Sequence, residues 1–186
     1  MIKSASGNAL LNPVKILTQA NIGFGETVAD LGTGAQAHFA IQAAHLVGER
    51  GRVYGVDILK STVKNLASQA KVAGLHNIVP VWSNLEIIGG AKKIASDSVD
   101  AALLINILFQ SKTKKENILK EAYRMIKPGG RLVIIDWKKR PSPMGPQIGM
   151  RISPEELIPS IKKVGFHIDH SFEPGEHHWG LIVLKP

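Results

Sequence analysis

The last two β-branched runs of the chain, Phe166–Phe172 and His178–Leu184, are separated only by Glu173-Pro174-Gly175-Glu176. So short a connection cannot carry the crossover that a parallel pair requires, so these strands must be antiparallel. The rest of the chain reads the other way. Short apolar runs at Thr27–Leu31, Arg52–Asp57, Ile78–Trp82, Val99–Ile105 and Arg131–Trp137 alternate with helical-period segments. That is the pattern of a parallel sheet with helices on both faces. The expectation is one α/β, Rossmann-like three-layer sandwich over residues 1–186, ending in an antiparallel hairpin.

The helices announce their ends. Asn12-Pro13 suits an N-cap followed by proline at the first helical position. Val63, Leu66, Ala67 and Ala70 form an apolar stripe that Gly74 stops. Thr113 with Glu116, and Ser153 with Glu156, read as capping boxes. Pro128-Gly129-Gly130 predicts a turn into the fifth strand. Pro159 removes a backbone donor inside the last helix and is expected to kink it.

Composition narrows the function. The 186 residues contain no cysteine, which excludes disulfides, thiolate metal sites and cysteine nucleophiles. No apolar run approaches a membrane span and the start lacks a secretion-signal core, so a cytoplasmic protein is expected. The net charge is +8, and between Lys112 and Arg140 ten basic residues face Glu116, Glu121 and Asp136. Such a stretch is either a solvated face or an attractor of anions.

Two signals carry chemistry. Val28-Ala29-Asp30-Leu31-Gly32-Thr33-Gly34 runs a strand into Gly-x-Gly and then a helix, a turn that lets backbone approach a ligand closely. Asp57 closes the second strand, where a carboxylate accepts hydrogen bonds from both ribose hydroxyls. Gly32-x-Gly34-x-x-Ala37 also fits a dinucleotide fingerprint, so a nicotinamide-dependent oxidoreductase stays open. Tyr123 and Lys127 have the Tyr-x-x-x-Lys spacing of some such enzymes, but Lys127 precedes Pro128 at a helix end.

Asp30-Leu31-Gly32-Thr33-Gly34, Asp57, Lys127-Pro128-Gly129-Gly130 and Gly165-Phe166, in that order, resemble the class I S-adenosylmethionine-dependent methyltransferases. The ubiquinone/menaquinone C-methyltransferase-like branch is the nearest, and the resemblance covers roughly residues 12–186. It implies a seven-stranded sheet of order 3-2-1-4-5-7-6 with strand seven antiparallel, and S-adenosylmethionine as cofactor with S-adenosylhomocysteine as product. It implies that Gly32, Thr33 and Gly34 pass close to the cofactor and that Asp30 orients its amino group. Asp57 would hold the ribose and Ile58 the adenine face. Ser83, Asn84 and Leu85 would lie at the adenine edge, with Asn84 using its amide oxygen, and Asn106 and Ile107 would line the methionine end. Two departures are Gln36, where the family often has a third glycine, and Asn106-Ile107-Leu108-Phe109, which lacks the prolines of base N-methyltransferases.

The acceptor is less legible. Asp136, at the tip of the fifth strand, is the candidate general base, unless it caps or pairs with Lys138 or Arg151. Lys112, Lys114 and Lys115, with Lys138, Lys139 and Arg140, are expected on the carboxyl rim, favouring a small, anionic acceptor or one at an anionic surface. Nucleic acid is not favoured with 5% aromatic residues. Met1–Leu11 and Lys138–Ile152 are candidate lids. His177-His178 is expected at the edge away from the crevice, with no metal-ligand spacing to a carboxylate. A non-catalytic cofactor-binding subunit remains the other alternative.

Overall fold

The structure, a computed structural model, describes residues 7–111 and 113–186. Its strands are β1 (Thr27–Leu31), β2 (Arg52–Asp57), β3 (Ile78–Trp82), β4 (Val99–Ile105), β5 (Ile126–Trp137), β6 (His167–Gly175) and β7 (His178–Leu184). The helices are α1 (Pro13–Gln19), α2 (His38–Val47), α3 (Lys60–Val72), α4 (Lys115–Met125) and α5 (Pro154–Val164). They form one sheet of order β3-β2-β1-β4-β5-β7-β6, parallel except for β7 against both neighbours, as expected. No helix of the described residues is long and apolar enough to cross a membrane.

Period-two alternation sends side chains of each central strand to opposite faces. Ala102, Leu104, Leu132 and Ile134 meet α4 and α5 in one apolar cluster. Leu103, Ile105, Val133 and Ile135 meet α1, α2 and α3 in the other. Truncating a wholly buried Leu103 or Ile134 to alanine costs roughly 2–5 kcal/mol.

The Asn12 and Ser153 caps form as the residues imply: Asn12 Oδ1 accepts from Lys15 N at 3.0 Å, and Ser153 and Glu156 bond reciprocally. The Thr113–Glu116 box does not form. Helix α4 starts from Lys114 without a side-chain cap, because Glu116 turns outward to Lys120 and Lys163, both at 2.8 Å. Helix α3 buries Thr62, Leu66 and Ala70 but exposes Ala67, so its inner stripe is rotated from the expected one. Pro159 lies within a continuous α5. Strand β5 begins at Ile126, earlier than expected, because Gly129, bent at φ +78°, and Gly130 pair with Lys185 at 2.8 and 2.9 Å and so carry the ladder through the turn. The final hairpin is also tighter: Gly175 faces His178 across a turn at Glu176-His177, and Phe166 drops out of the strand to pack edge-on against Tyr123.

Candidate functional site

Strands β1 and β4 are neighbours although their helices leave in opposite directions, so a crevice opens at their carboxyl ends. The glycine turn closes it from below. Gly32 N and Thr33 N both donate to Val56 O, at 2.8 and 2.9 Å, which bends the chain across β2. Gly32 has φ +88°, and a Cβ there would meet Ile107 Cδ1 at 2.1 Å. Only glycine fits. Asp57 then fixes both sides of the turn: Oδ2 accepts from Gly34 N at 3.0 Å and Oδ1 from Leu59 N at 2.9 Å.

A cavity of about 1000 Å³ stands above this turn. Gly32, Thr33, Gly34, Asp57 and Ile58 line one side of it. Ser83, Asn84, Leu85, Asn106 and Ile107 line the others, so these sequence-chosen residues converge from four loops. Asp30 and Asp136 are not part of the lining. Asp30 is buried beneath the glycine turn with Oδ2 unpartnered. Burial, with a smaller push from the Asp57 charge, raises it to about 7 against the hydrogen bonds of Thr33 and Ala40.

The buried polar atoms along the cavity show where a ligand is needed. Ser83 Oγ and Asn106 Oδ1 have no partner, a costly state for a buried acceptor unless something else fills it. Asn84 Oδ1, expected to face an adenine, instead accepts from Glu86 N at 2.9 Å. Asn106 sits in the left-handed region at φ +58° and donates to Asn8 Oδ1 at 2.8 Å. Asn8 belongs to the expected N-terminal lid; residues 1–6 of that segment lie outside the described residues.

Asp136 is held by backbone amides. Its carboxylate accepts from Phe109 N at 3.1 Å and from its neighbour Trp137 N at 2.8 Å. Burial raises it to about 7, opposed by the amides of Trp137, Phe109 and Leu108 and by the Lys115 charge. The carboxylate thereby anchors the turn that carries Asn106 and Ile107. The expected pairing with Lys138 or Arg151 fails because Lys138 reaches Glu173, while the Arg151 guanidinium collects the carbonyls of Lys138, Arg140, Met144 and Pro146 at 2.7–3.0 Å. Arg151 thus folds the 138–152 segment around itself. Gly145 rests on Trp137, where a Cβ would come within 2.5 Å of the ring, and Trp137, Gly145 and Pro146 form a cavity wall.

The placement of His178 differs from expectation. Because β7 is antiparallel, its start lies beside the end of β5, with His178 opposite Trp137 and its ring 4.3 Å from the indole. It is fully buried and both ring nitrogens lack partners. Burial, then the charges of His177, Arg151 and Lys138, lowers its pKa to about 4.

The basic rim is largely neutralised. Lys114 pairs with Glu86 at 3.5 Å, Lys139 with Glu156, and Arg140 donates to Glu176 O at 2.7 Å; Lys112 lies outside the described residues. No lysine or arginine lines the cavity among the described residues. Trp137, expected with Asp136 at the crevice, does line the cavity, whereas sequence reasoning missed Glu86, Gln110 and Ser111. It missed equally the clamp of Asn65 and Gln69, which donate to Ala35 O at 2.6 and 3.1 Å. Their four-residue spacing on α3 was the available signal for that clamp.

A family model described as a methyltransferase domain matches residues 23–170. The chain belongs to the class I S-adenosylmethionine-dependent methyltransferases. The chain is similar to an S-adenosylmethionine-dependent methyltransferase from Aquifex aeolicus at 26% identity, TM-score 0.86, covering 98% of this chain and 94% of the other. It is 33% identical over 116 residues to the ubiquinone/menaquinone biosynthesis C-methyltransferase UbiE of Klebsiella pneumoniae. That match takes in 62% of this chain and 44% of the other, so the chain spans less than half the length of the curated relative. Fibrillarin of Aeropyrum pernix, whose structure holds natively bound S-adenosylmethionine, shares the fold at 14% identity and TM-score 0.72, over 95% of this chain and 76% of that one.

Proposed function

We propose that the chain transfers a methyl group from S-adenosylmethionine to a small, uncharged acceptor with a flat, apolar body. The observation that carries it is the polar lining of one cavity around the glycine turn: the Asp57 carboxylate, already held in place by the amides of Gly34 and Leu59, and the unpartnered Ser83 hydroxyl and Asn106 amide oxygen. Gly32, Thr33 and Gly34 would border the cofactor, Asp57 would hold its ribose, and Ile58 and Leu85 would flank its adenine. With Asn84 Oδ1 committed to Glu86, Ser83 is the polar group available at the adenine edge. Asn106 and Ile107 would border the methionine end, and ionised Asp30, beneath the turn, would favour a cationic ligand above it.

S-adenosylmethionine, when bound, supplies an electrophilic methyl group; the work of the chain is binding, orientation and exclusion of water. Trp137, Phe109, Ile107 and Pro146 offer an apolar wall, while Gln110, Ser111 and Glu86 offer polar contacts at one end. Holding the acceptor in line against that wall contributes up to roughly 7–11 kcal/mol by removing translational freedom. Asp136 acts in this reading by fixing the Asn106–Phe109 turn. The paired rim and the absence of cations from the described lining favour an uncharged acceptor over an anionic one. An acceptor related to quinone precursors, suggested by the name of the Klebsiella relative, has the required shape.

Titration calorimetry with S-adenosylhomocysteine and with NADH tests the reading, followed by transfer of labelled methyl to uncharged hydroxyaromatic compounds. Binding of S-adenosylhomocysteine with methyl transfer is expected. Binding without transfer to any acceptor favours a regulatory subunit, and preference for NADH removes the proposal.

A further inference from the structure

The distribution of paired and unpaired charge marks a second surface. In the basic stretch, Lys120, Arg124, Lys127, Arg131, Lys138 and Lys139 each have a carboxylate partner. Lys60, Lys64, Lys92 and Lys93 are exposed and have none among the described residues. Lys60 and Lys64 bring unpaired positive charge to the start of α3, beside the ends of β2 and β3, while Lys92 and Lys93 lie next to the contacts of Ala91 and Ile94 with α4. Exposed lysines and arginines without a carboxylate partner among the described residues also stand elsewhere, at Lys15, Arg50, Arg52, Lys71 and Lys162.

Large apolar side chains are exposed on the loops around the same cavity mouth. Leu59 follows β2, and Trp82 ends β3 with 57% of its surface exposed. Ile87 and Ile88, 58% and 51% exposed, form the tip of a tight turn closed by Ile87 N to Asn84 O at 3.1 Å and Gly90 N to Ile87 O at 2.9 Å. The corner is preorganised. Trp82 Nε1 donates to Ile58 O at 2.8 Å, and Lys60 Nζ stands 4.8 Å from the centre of the indole. The two loops that bear these residues also wall the cavity, through Leu59, Ser83 and Glu86.

We infer that this corner is a docking surface for an anionic phospholipid bilayer. Leucine, isoleucine and a tryptophan whose N–H is already bonded enter the headgroup boundary without leaving a donor unsatisfied. The lysines meet lipid phosphates, their aliphatic stems lying along the apolar side chains. A single-stranded nucleic acid is gripped by stacked aromatic rings and arginines, and protein interfaces are depleted in lysine. This corner has a single indole, aliphatic residues and lysines. Docking there brings the cavity mouth against the membrane, the phase in which an apolar acceptor concentrates.

The full chain is to be sedimented with phosphatidylcholine vesicles containing about one third phosphatidylglycerol, and with phosphatidylcholine alone. Binding to the anionic vesicles is expected, weakened by raised salt and accompanied by a blue shift of the exposed Trp82 emission. The double variant Lys60→Glu/Lys64→Glu is expected to lose at least about tenfold in partitioning, and Ile87→Asp/Ile88→Asp a comparable amount. Both variants should keep wild-type affinity for S-adenosylhomocysteine, which certifies their folding and separates this inference from the proposed function. No sedimentation with anionic vesicles overturns the inference. So does undiminished binding by Ile87→Asp/Ile88→Asp, the mark of bare adsorption of a basic protein, or displacement from vesicles by single-stranded RNA at equal charge.

Discussion

The imidazole of His178 lies against the indole of Trp137, ring centres 4.3 Å apart, at the point where β7 begins and β5 ends. This contact joins a cavity-lining ring to a buried titratable group. The folded-state pKa of His178 is lowered from 6.5 to about 4, so its contribution to stability is intact above pH 6.5 and is lost as pH falls toward 4. His178→Phe keeps a ring against Trp137 and removes this dependence. Its melting temperature is expected to fall less than that of the wild type between pH 6.5 and 4; identical slopes in a thermal scan would refute the assignment.

Asp30 and Asp136 act in the opposite sense. Each is raised from 3.8 to about 7, so the unfolded chain releases these protons first and stability is lost as pH rises through that window. Asp30→Asn is therefore expected to melt at a higher temperature than the wild type at pH 7 and at a similar one near pH 4. In the wild type these carboxyls offset His178, which flattens the profile between pH 4 and 6.5.

The two glycines of the turn are expected to respond differently. Gly34 has φ +70° but open space where a Cβ would go, so Gly34→Ala carries only backbone strain of about 1–2 kcal/mol. Gly32→Ala drives a methyl into Ile107 and is expected to abolish S-adenosylhomocysteine binding as measured by calorimetry. Shortening Ile107 to alanine in the same chain should restore part of it.

Arg151 organises the 138–152 segment through four carbonyls. Arg151→Met is expected to raise amide hydrogen exchange across that segment and to alter Trp137 fluorescence, with S-adenosylhomocysteine affinity within about twofold of wild type, since the cofactor-side loops are separate from it. Unchanged exchange would remove the organising role.

Lys185 secures the final strand. Its buried ammonium donates to Asp97, to Tyr123 O and to Ile126 O at 2.5–2.9 Å, joining β7 to the end of α4. Lys185→Met is expected to cost roughly 1.5–3 kcal/mol in a denaturant titration.

Much of the architecture was legible because it follows from local chemistry. Asn12-Pro13 and Ser153 with Glu156 satisfy orphan helix amides with their own side chains, so their sequence suffices. Thr113 with Glu116 failed by the same logic: Glu116 had long-range lysine partners, Lys163 among them, that no local pattern displays. His178 was misplaced through the geometry of the sheet, since antiparallel pairing returns the chain to the carboxyl rim of the parallel strands.

The sequence by itself determined the alternation of strands and helices, the reversal of the last strand, and the glycine turn beside Asp57, because periodicity, loop length and backbone freedom are properties of neighbouring residues. Only the tertiary structure decided that Asp136 holds a turn, that Arg151 folds a wall onto Trp137, and that Lys120, Lys127, Lys138 and Lys139 find carboxylates while Lys60 and Lys64, near Trp82, find none among the described residues. These outcomes depend on which distant atoms compete for each charge and each buried hydrogen bond, and that competition is settled only when the chain is packed.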